Sequence, residues 1–442
     1  MLKILKFIIV CLVAISSAFA QNSRSNEDIQ SRVVKDYAYL VQLYKHLHSN
    51  PEISLQEEKT AKKLTGELTK LGFKVTNNIG GHGFVGVLKN GDGPTVMIRT
   101  DLDGLPVEEN TGLDYASKAR TIDPQGNDVG IMHACGHDVH MTVFVGTARM
   151  LTGLKDKWQG TLVMIGQPAE EIGAGAKSML DAGLFEKFPR PDYCLALHSN
   201  SAIPAGKVGV CEGFALANVD FVDIKVRGKG GHGAYPHTTK DPVVLAAQIV
   251  LALQTIVSRE IKPVEPAVVT VGSIHGGTKH NIIGDEVDLQ LTLRSYSEAV
   301  RNQTIEAIKR ICHGLAQAAG LSEEDFPIIK VRDGFTPATY NDPELTRHAA
   351  KVMRAALGDE NVLTVEPVMG GEDFGRFGRV EPKIPIHIFW LGTVAPEKFE
   401  ASLQSGQSLP SLHSNLFAPL PELTLKTGVK AMTASALSLF KK

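Results

Sequence analysis

Cysteine is scarce in this sequence, with five residues among 442. Four of them lie beyond the first twenty residues, namely Cys135, Cys194, Cys211 and Cys312. So few cysteines in a chain of this length exclude a disulfide framework. A single pairing of Cys194 with Cys211 stays open, because disulfides form in oxidising compartments.

The chain also has little net charge, with a formal value of -2. This value does not predict a broad basic face for nucleic acid or an acidic disordered tail, so electrostatics predicts no partner. There is no internal repeat and no low-complexity tract. Hydrophobic residues make up 43% and charged residues 21% of the chain, which is typical of a soluble globular protein. Because 442 residues exceed what one core supports, two domains are predicted.

The first twenty residues differ from the rest. Lys3 and Lys6 precede a short apolar run at 7–15, and small residues ending at Ala20 come before a polar stretch. This order is typical of a secretory signal peptide cut after Ala20. The alternative is a transmembrane anchor, but a bilayer needs about 20 apolar residues and this run is shorter. No later segment is predicted to span a membrane. We therefore predict a periplasmic or secreted protein that has no membrane contact after signal cleavage.

Residues 21–213 have the pattern of a layered α/β domain. Apolar residues recur at three- and four-residue steps over 27–48 and 57–71, which predicts two helices. Continuous apolar runs flanked by Gly and Pro predict strands buried on both faces. These runs lie at 95–98, 161–165 and 193–197, with helical stretches at 139–151 and 176–184 between them.

The pattern changes near Asn218. Residues 221–226 and 288–293 alternate between apolar and polar side chains, which predicts strands with one solvated face. Two helices are predicted among them, at 242–258 and 297–319. After about Asp333 the pattern of residues 21–213 returns. It predicts helices at 344–357 and from 422, and a buried strand at 384–390.

These patterns together predict an α/β fold with two domains. A mixed-sheet α/β domain would comprise 21–213 and 334–442, following the signal peptide at 1–20. A smaller α+β domain at 214–333 would interrupt it.

The densest cluster of chemically active side chains spans Met132 to Met141. Within it, Cys135 and His137 are two residues apart, and a thiolate and an imidazole are strong ligands for zinc and related metals. Gly136 between them lets the backbone bend, so that both side chains can point to the same side. A turn of ligands followed by a helix is therefore predicted. His133 and His140 are expected to support or pack rather than to ligate.

A second cluster is the carboxylate pair Glu170 and Glu171, which follows the predicted strand at 161–165. Ligands in α/β sheets lie beyond the carboxyl ends of strands. Two adjacent carboxylates there can divide the work, one binding metal and the other taking a proton from an activated water.

Three other positions are candidates by their place in the pattern. His198 is predicted to follow the end of the strand at 193–197, and His413 lies in a polar loop before the last helix. Asp101, with Asp103, follows the strand at 95–98, where a carboxylate could orient a ligand or fix the attacking water. The glycine-rich stretch at 228–236 contains His232, but taken alone it is weak evidence of a site.

With these residues in hand, the chain resembles the aminoacylase and carboxypeptidase superfamily of two-metal exopeptidases. Its amidohydrolase branch is the most similar, with hippurate hydrolase, auxin-conjugate hydrolases and N-acyl amino acid deacylases. The resemblance covers nearly the whole chain after residue 20. The motifs that carry it are 47–52, 99–106, 132–140, 167–171, 230–236, 369–374 and 412–414.

The resemblance implies a pair of divalent metal ions, zinc or manganese first and cobalt or nickel next. Their ligands would be Cys135, His137, Glu171, His198 and His413. Glu170 would be the general base, which takes a proton from the attacking water and passes it to the leaving amine.

The resemblance also implies that the domain at 214–333 is a lid and forms a homodimer. His232 would stabilise the oxyanion, and Asn281, Arg294 and Gly371 would contact the substrate. Two local departures exist: Gly284 stands where relatives often have Pro, and Gly371 stands where a small hydroxyl residue is common.

The predicted substrate is a small N-acyl or N-aroyl amino acid whose amide bond is hydrolysed. A short peptide, cleaved by a secreted dipeptidase or carboxypeptidase of the same superfamily, is the alternative. A binding protein that kept the fold and lost the chemistry would show damage among the five ligands or Glu170, and none is present.

Overall fold

The computed structural model describes residues 27–440, so the predicted signal peptide lies outside the described residues. The chain forms two compact units. The first contains residues 27–213, Asn341–Glu366 and residues 377–440. The second contains Phe214–Tyr340 and Pro367–Arg376. The short segment joins the second unit because its backbone pairs with residues 215–217, where Val368 N donates to Ala215 O and Ala217 N to Gly370 O.

An eight-stranded mixed sheet forms the centre of the first unit, in the order β1-β2-β6-β3-β7-β18-β8-β17. The strands β3, β6, β7 and β18 run parallel to one another, and β1 and β2 are antiparallel additions at one edge. Their bounds are β1 (Lys74–Asn77), β2 (Phe84–Asn90), β3 (Thr95–Asp101), β6 (Gly160–Gln167), β7 (Tyr193–Pro204), β8 (Val208–Val210), β17 (Val362–Thr364) and β18 (Ile386–Val394). A separate hairpin consists of β4 (Arg120–Ile122) and β5 (Asp128–Gly130).

Eight helices of the described chain belong to this unit. They are α1 (residues 27–49), α2 (Glu58–Lys70), α3 (His137–Gly153), α4 (Gly175–Asp181), α5 (Leu184–Lys187), α8 (Pro343–Leu357), α9 (Pro396–Ser405) and α10 (Pro421–Leu439). α10 packs against α3 and α8. Leu40, Phe144 and Val429 from three of these helices are buried in one core with apolar residues of the central strands, which the continuous apolar runs predicted.

The helix predicted at 176–184 is interrupted. It forms α4 and α5, and Gly183 between them adopts a φ of 84°. A residue in this left-handed region ends a helix, and glycine occupies the region without a Cβ penalty.

The strand predicted at 193–197 is longer than expected, since β7 continues to Pro204. β18 runs alongside it in parallel, with Trp390 opposite His198 and Gly392 opposite Asn200. His198 therefore lies inside a strand and does not follow one. It is nevertheless level with the end of β3. Ile98 pairs with Leu195 on the two parallel strands, so Asp101, three residues further along and the last residue of β3, is level with His198.

The second unit is built on an antiparallel four-stranded sheet in the order β12-β14-β10-β15. Alternate residues of β10 and β14 are buried, as the alternating sequence predicted. The elements are β9 (Gly213–Leu216), β10 (Asn218–Arg227), β11 (Gly231–His232), α6 (Pro242–Thr255), β12 (Ala267–Gly276), β13 (Ile282–Ile283), β14 (Glu286–Ser295), α7 (Glu298–Ala318), β15 (Ile328–Val331) and β16 (Thr339–Asn341). Apolar residues of α6 and α7 form one core with this sheet.

Candidate metal centre

The candidate ligand Cys135 lies in a turn at residues 133–137, named the metal-binding turn after its predicted role, which leads directly into α3. Gly136 adopts a φ of 83°, and its N–H donates to His133 O at 3.1 Å. Because α3 begins at His137, Cys135 is the last ligand candidate of the turn and His137 the first residue of the helix. The Nδ1 of His137 donates to the backbone carbonyl of Asp103 at 2.7 Å. This bond fixes the tautomer that leaves Nε2 available to a ligand.

His198 and His413 approach Cys135 from two other elements. The Nε2 of His198 lies 3.6 Å from the Cys135 Sγ, and the Nε2 of His413 lies 3.3 Å from it. His198 Nδ1 donates to the carbonyl of Ser199 at 2.8 Å, so its Nε2 is also free to accept. His413 has a φ of 67°, and its N–H donates to Ala134 O at 2.9 Å. A non-glycine residue in this region is strained and persists where its surroundings fix it, which is common at functional sites.

The two glutamates follow β6 across a second strained residue. Ala169 has a φ of 51°, and its N–H donates to the buried carboxylate of Glu57 at 2.7 Å. Glu171 is held by its own N–H, which donates to Asp103 Oδ2 at 3.0 Å. Glu170 Oε2 and Glu171 Oε1 then lie 3.8 and 3.7 Å from His137 Nε2.

The centre is strongly electronegative. Burial opposes a charge on His137, yet the carboxylates of Asp101, Asp103 and Glu171 raise its pKa to about 10. Burial and the neighbouring Asp103 and Asp101 raise the pKa of Glu171 to about 7, although His137 opposes this shift. Both shifts show that the site concentrates negative charge around one point and therefore favours a cation there.

The residues fit a pair of metal ions. His137 Nε2, Glu171 Oε1 and Asp103 Oδ1 are buried and have no hydrogen-bond partner among the described residues. Buried polar atoms of this kind are costly unless they are paired or bind a metal. The donor atoms cluster within 4.8 Å of one another in sets that share members, including Cys135 with His137 and His198, and Cys135 with Glu171 and His413. Burial and the adjacent His140 lower the pKa of His198 to about 3, so it is a neutral imidazole ready to ligate.

Asp101 lies beside this centre and forms hydrogen bonds with further side chains. Its carboxylate accepts from Arg99 at 2.7 Å and from His140 Nδ1 at 2.7 Å. The Nε2 of His140 in turn accepts from the N–H of Ser199 at 2.7 Å. Asp101 is fully buried and 3.8 Å from His137 Nε2. Its contacts suit the orientation of ligands, which is one of the two roles that its position in the sequence suggested.

An aromatic side chain completes the wall beside His198. Trp390 is buried on β18, and its ring centroid lies 5.4 Å from that of His198 at an interplanar angle of 66°. Contacts of this edge-to-face kind restrict a ring without competing for its nitrogen atoms.

The sequence pattern of peptidase family M20/M25/M40 matches residues 97–402, a span that contains Cys135, His137, the glutamate pair and His198. The chain belongs to peptidase family M20/M25/M40. The resemblance to this superfamily and its amidohydrolase branch is thereby confirmed.

Curated members of the family resemble this chain over most of its length. Thermostable carboxypeptidase 2 of Saccharolobus solfataricus is 36% identical over 94% of this chain and 99% of its own length. The N-acetylcysteine deacetylase of Bacillus subtilis is 34% identical over 88% and 97%. An IAA-amino acid hydrolase of Arabidopsis thaliana, ILR1-like 2, is 33% identical over 87% and 85%.

Solved structures of the family share the fold. A crystal structure from methicillin-resistant Staphylococcus aureus matches with a TM-score of 0.81 and 31% identity, covering 94% of this chain and 100% of the other. The YXEP protein of Bacillus subtilis, described as a dinuclear metal binding peptidase, matches with a TM-score of 0.73 and 29% identity over 91% and 98%. This M20 chain is a metal-dependent hydrolase of amide or peptide bonds.

The first unit thus brings together seven of the residues that the sequence singled out. They are Asp101, Cys135, His137, Glu170, Glu171, His198 and His413. The second unit contains the other four, which form two pairs. The first pair is His232 and Asn281. His232 is exposed on β11 and lies opposite Ile282 on β13. Asn281 precedes Ile282, and its carbonyl accepts a hydrogen bond from Gly233 N at 2.9 Å. The second pair is Arg294 and Gly371, which both lie beside Val219 of β10. Arg294 is opposite Val219 in the sheet, and a Cβ added at Gly371 would lie 2.3 Å from Val219 Cγ2.

Sequence reasoning missed several residues that support the ligands. Asp103 was named only beside Asp101, yet its backbone and carboxylate hold His137 and Glu171. His48 and Glu109 received no role, although His48 lies in a motif that carried the resemblance. Cys194 and Cys211 are both buried free thiols, so the pairing that the sequence left open is absent from the structure.

Proposed function

We propose that this M20 enzyme hydrolyses the amide bond of N-acyl or N-aroyl amino acids with two divalent metal ions. The proposal rests on five donor side chains that form overlapping groups around Cys135 and His137 in a negatively charged and largely buried site, with His413 on its exposed side. Cys135, His137, Glu171, His198 and His413 would hold the ions. Zinc and manganese suit this mixture of thiolate, imidazole and carboxylate, and so do cobalt and nickel.

The bound ions would polarise the amide carbonyl and lower the pKa of the attacking water. Glu170 is the general base in this proposal. Its carboxylate lies 3.8 Å from His137 Nε2 and is therefore beside the ligand atoms without being needed among the five ligands. It takes the proton of the water during attack and returns it to the leaving amine, so that the amine departs neutral. His232 would stabilise the oxyanion, and Asn281, Arg294 and Gly371 would contact the substrate. The Arg294 guanidinium would donate to the carboxylate of the substrate.

Two relatives with deacylase or amino acid hydrolase names support N-acyl amino acids as substrates. The carboxypeptidases of Saccharolobus solfataricus support the alternative, a dipeptidase or carboxypeptidase. Both reactions break an amide bond next to a free carboxylate, so the two readings differ in the group on the other side of the bond.

A panel of substrates tests the proposal. The chain from Gln21 onward is stripped with chelator and assayed on N-acetyl amino acids, N-benzoyl amino acids and free dipeptides, with zinc, manganese, cobalt or nickel added back singly. We expect metal-restored cleavage that prefers acylated substrates. The Glu170→Gln variant should lose about 10²- to 10⁴-fold in kcat while binding metal as the wild type does. Preference for dipeptides would establish the alternative, and a Glu170→Gln variant of unchanged kcat would refute the base assignment.

We also infer that the second unit forms a homodimer. α6 exposes Val244, Ala247 and Leu251 at helical spacing, and the solvent-exposed fraction of Leu251 is 73%. Strand β12 is ten residues long and lies at the edge of the described four-stranded sheet, where it pairs with β14 on one side. An apolar helix face beside an open strand edge invites pairing with an identical surface.

The stretch Pro242–Glu260 is long and apolar enough to cross a membrane by length and composition alone, and 33% of it is buried. One such helix is weak evidence of a span, and a dimer interface uses the same apolar side chains. We expect Leu251→Glu to convert a dimer into a monomer by light scattering. Leu403→Glu on α9, where Leu403 is also exposed at 65%, is the matched control and should leave the mass unchanged. A wild-type chain that is monomeric at micromolar concentration would refute the dimer.

We propose further that residues 1–20 direct export to the periplasm or the exterior. Expression of the full chain in a Gram-negative host should yield a periplasmic protein whose N-terminal residue is Gln21. A full-length protein in the cytoplasm that retains Met1–Ala20 would refute export.

A further inference from the structure

His48 is a buried imidazole that contacts two buried carboxylates. It lies one residue before the end of α1 and is 1% exposed. Its Nδ1 lies 2.6 Å from Asp138 Oδ2, and its Nε2 lies 3.0 Å from Glu109 Oε1. Since each ring nitrogen faces a carboxylate, an imidazolium can donate to both at once. His48 thereby joins two segments that are distant from it in the sequence.

One of these segments is the metal-binding turn. Asp138 follows the ligand His137 in the first turn of α3, and its Oδ1 accepts from Val139 N at 2.8 Å. The N-cap of this helix is Gly136, which has no side chain to cap the helix. The carboxylate of Asp138 connects this turn to α1 through its hydrogen bond with His48.

The other segment holds the loop of His413. Glu109 accepts from Ser117 N at 2.6 Å and from the hydroxyl of Thr111. The next residue, Asn110, donates its N–H to Asn415 O at 2.9 Å. Asn415 is two residues beyond His413, the fifth proposed ligand. A backbone hydrogen bond therefore connects the segment of Glu109 to the loop of His413.

We propose that His48 is a positioning residue that sets the distance between the metal-binding turn and the His413 loop. The inference rests on the proposed metal centre. Cys135 and His137 lie on one side of this link and His413 on the other, and the two sides must meet within a few tenths of an ångström to share ions. The turn and the loop also touch directly, through His413 N and Ala134 O. That bond and the packing of Ala134 against Phe417 form one connection between them, and His48 adds a second connection at another point.

The buried charges make this link stiff. Burial alone would lower the pKa of His48, but the hydrogen bonds that its ring donates to the Asp138 and Glu109 carboxylates raise the pKa to about 9. Loss of the imidazolium leaves two carboxylates buried near each other without a cation between them. Such carboxylates repel and draw in water, which would move the turn and the loop apart.

Metal affinity of the metal-free protein tests the proposal. Wild type, His48→Gln and Glu109→Gln are stripped, checked for fold by circular dichroism, and titrated with zinc against a competing chromophoric chelator below the melting temperature of every variant. His387→Gln is the matched control, because His387 is a fully buried histidine of the same unit whose imidazole hydrogen-bonds to Thr346 of α8, a helix that carries no proposed ligand. Apo melting temperatures are recorded in parallel.

We expect His48→Gln to weaken zinc binding at least tenfold, in the range known for partners of metal ligands. The glutamine is neutral, and its single amide nitrogen cannot take the place of both ring nitrogens at once. Glu109→Gln, which keeps an acceptor for His48 and removes a charge, should weaken binding less. His387→Gln should lower the melting temperature and leave zinc affinity within twofold of wild type.

Zinc affinities within twofold of wild type for both His48→Gln and Glu109→Gln would overturn the proposal, whatever their melting temperatures. Should His48→Gln fail to fold, Glu109→Gln decides by the same criterion. A wild type that binds zinc tightly but cleaves no substrate would refute the proposed function and leave this inference standing. A wild type that binds no zinc, manganese, cobalt or nickel would refute both.

Discussion

The backbone of Gly136 offers a sharp test of how the metal-binding turn is built. At a φ of 83°, a side chain is strained in any surroundings. A Cβ added there would also meet Ser199 Oγ at 2.7 Å, Ser199 Cβ at 2.9 Å and Phe417 Cε1 at 3.3 Å. The Gly136→Ala substitution therefore combines a backbone penalty with a packing penalty, and both fall between the proposed ligands Cys135 and His137.

The two penalties can be estimated separately. The left-handed backbone costs an alanine about 1–2 kcal/mol. Overpacking against a buried neighbour costs about 1–3 kcal/mol. Together they predict a loss of about 2–5 kcal/mol in the free energy of unfolding of the metal-free protein. Zinc affinity should fall as well, because relief of the clash moves the turn away from Ser199 and hence from His198.

Gly72 is the control for the backbone penalty. Its φ is 86°, and a Cβ there would meet no atom within 4 Å, so Gly72→Ala should cost about 1–2 kcal/mol and leave zinc affinity unchanged. Urea unfolding in the presence of chelator measures the first quantity, and chelator competition measures the second. If Gly136→Ala costs no more than Gly72→Ala and binds zinc equally well, the turn is not the rigid element described here.

Three further predictions concern the same centre. The folded pKa of His48, about 9, exceeds its ordinary value of about 6.5, so its stabilisation is complete below pH 6.5 and is lost as pH rises through 9. The titratable groups around His48 are Asp138, Glu109, Tyr44, Tyr115 and His133. Urea unfolding of wild type and His48→Gln in chelator should show a difference in the free energy of unfolding that shrinks over this pH range. A difference that stays constant with pH would contradict the prediction. Hydrogen peroxide should inactivate the metal-free protein much faster than the loaded protein, because metal protects the Cys135 thiolate, and equal rates would rule this out. Asp101→Asn should weaken zinc binding about 10- to 100-fold in a competition titration, since the amide no longer holds His140 and Arg99 by charge; an unchanged affinity would show that Asp101 does not orient the ligands.

Local sequence patterns sufficed for the parts of the site that are close together in the chain. Cys135 and His137 are two residues apart around a glycine, and Glu170 and Glu171 follow an apolar strand, so spacing alone pointed to them. His198 and His413 became ligands only through the resemblance. Neither spacing nor periodicity relates residues that are 63 and 278 positions from Cys135.

What the sequence could not supply depends on partners distant in the chain. The length of β7 is set by β18 beside it, which is why His198 was placed at a strand end and lies within one. The segment Pro367–Arg376 joins the second unit through backbone bonds to residues 215–217, which no composition change marks. His48 is 61 positions from Glu109 and 90 positions from Asp138. In the sequence, each of the three residues is an ordinary polar side chain with no pattern that connects it to the others.

The contact between Trp390 and His198 gives this protein a built-in optical reporter. The sequence has two tryptophans. Trp158 is remote from the ligands and stacks on Phe440 near the end of the described chain. Replacing it by phenylalanine would leave the emission of Trp390 alone, beside a ligand imidazole that is neutral before metal arrives. Cobalt or nickel, with unfilled d shells, should quench that emission on binding, whereas closed-shell zinc should shift it without quenching. One titration in a fluorimeter would then follow occupancy of the His198 side of the centre and distinguish classes of metal without any substrate.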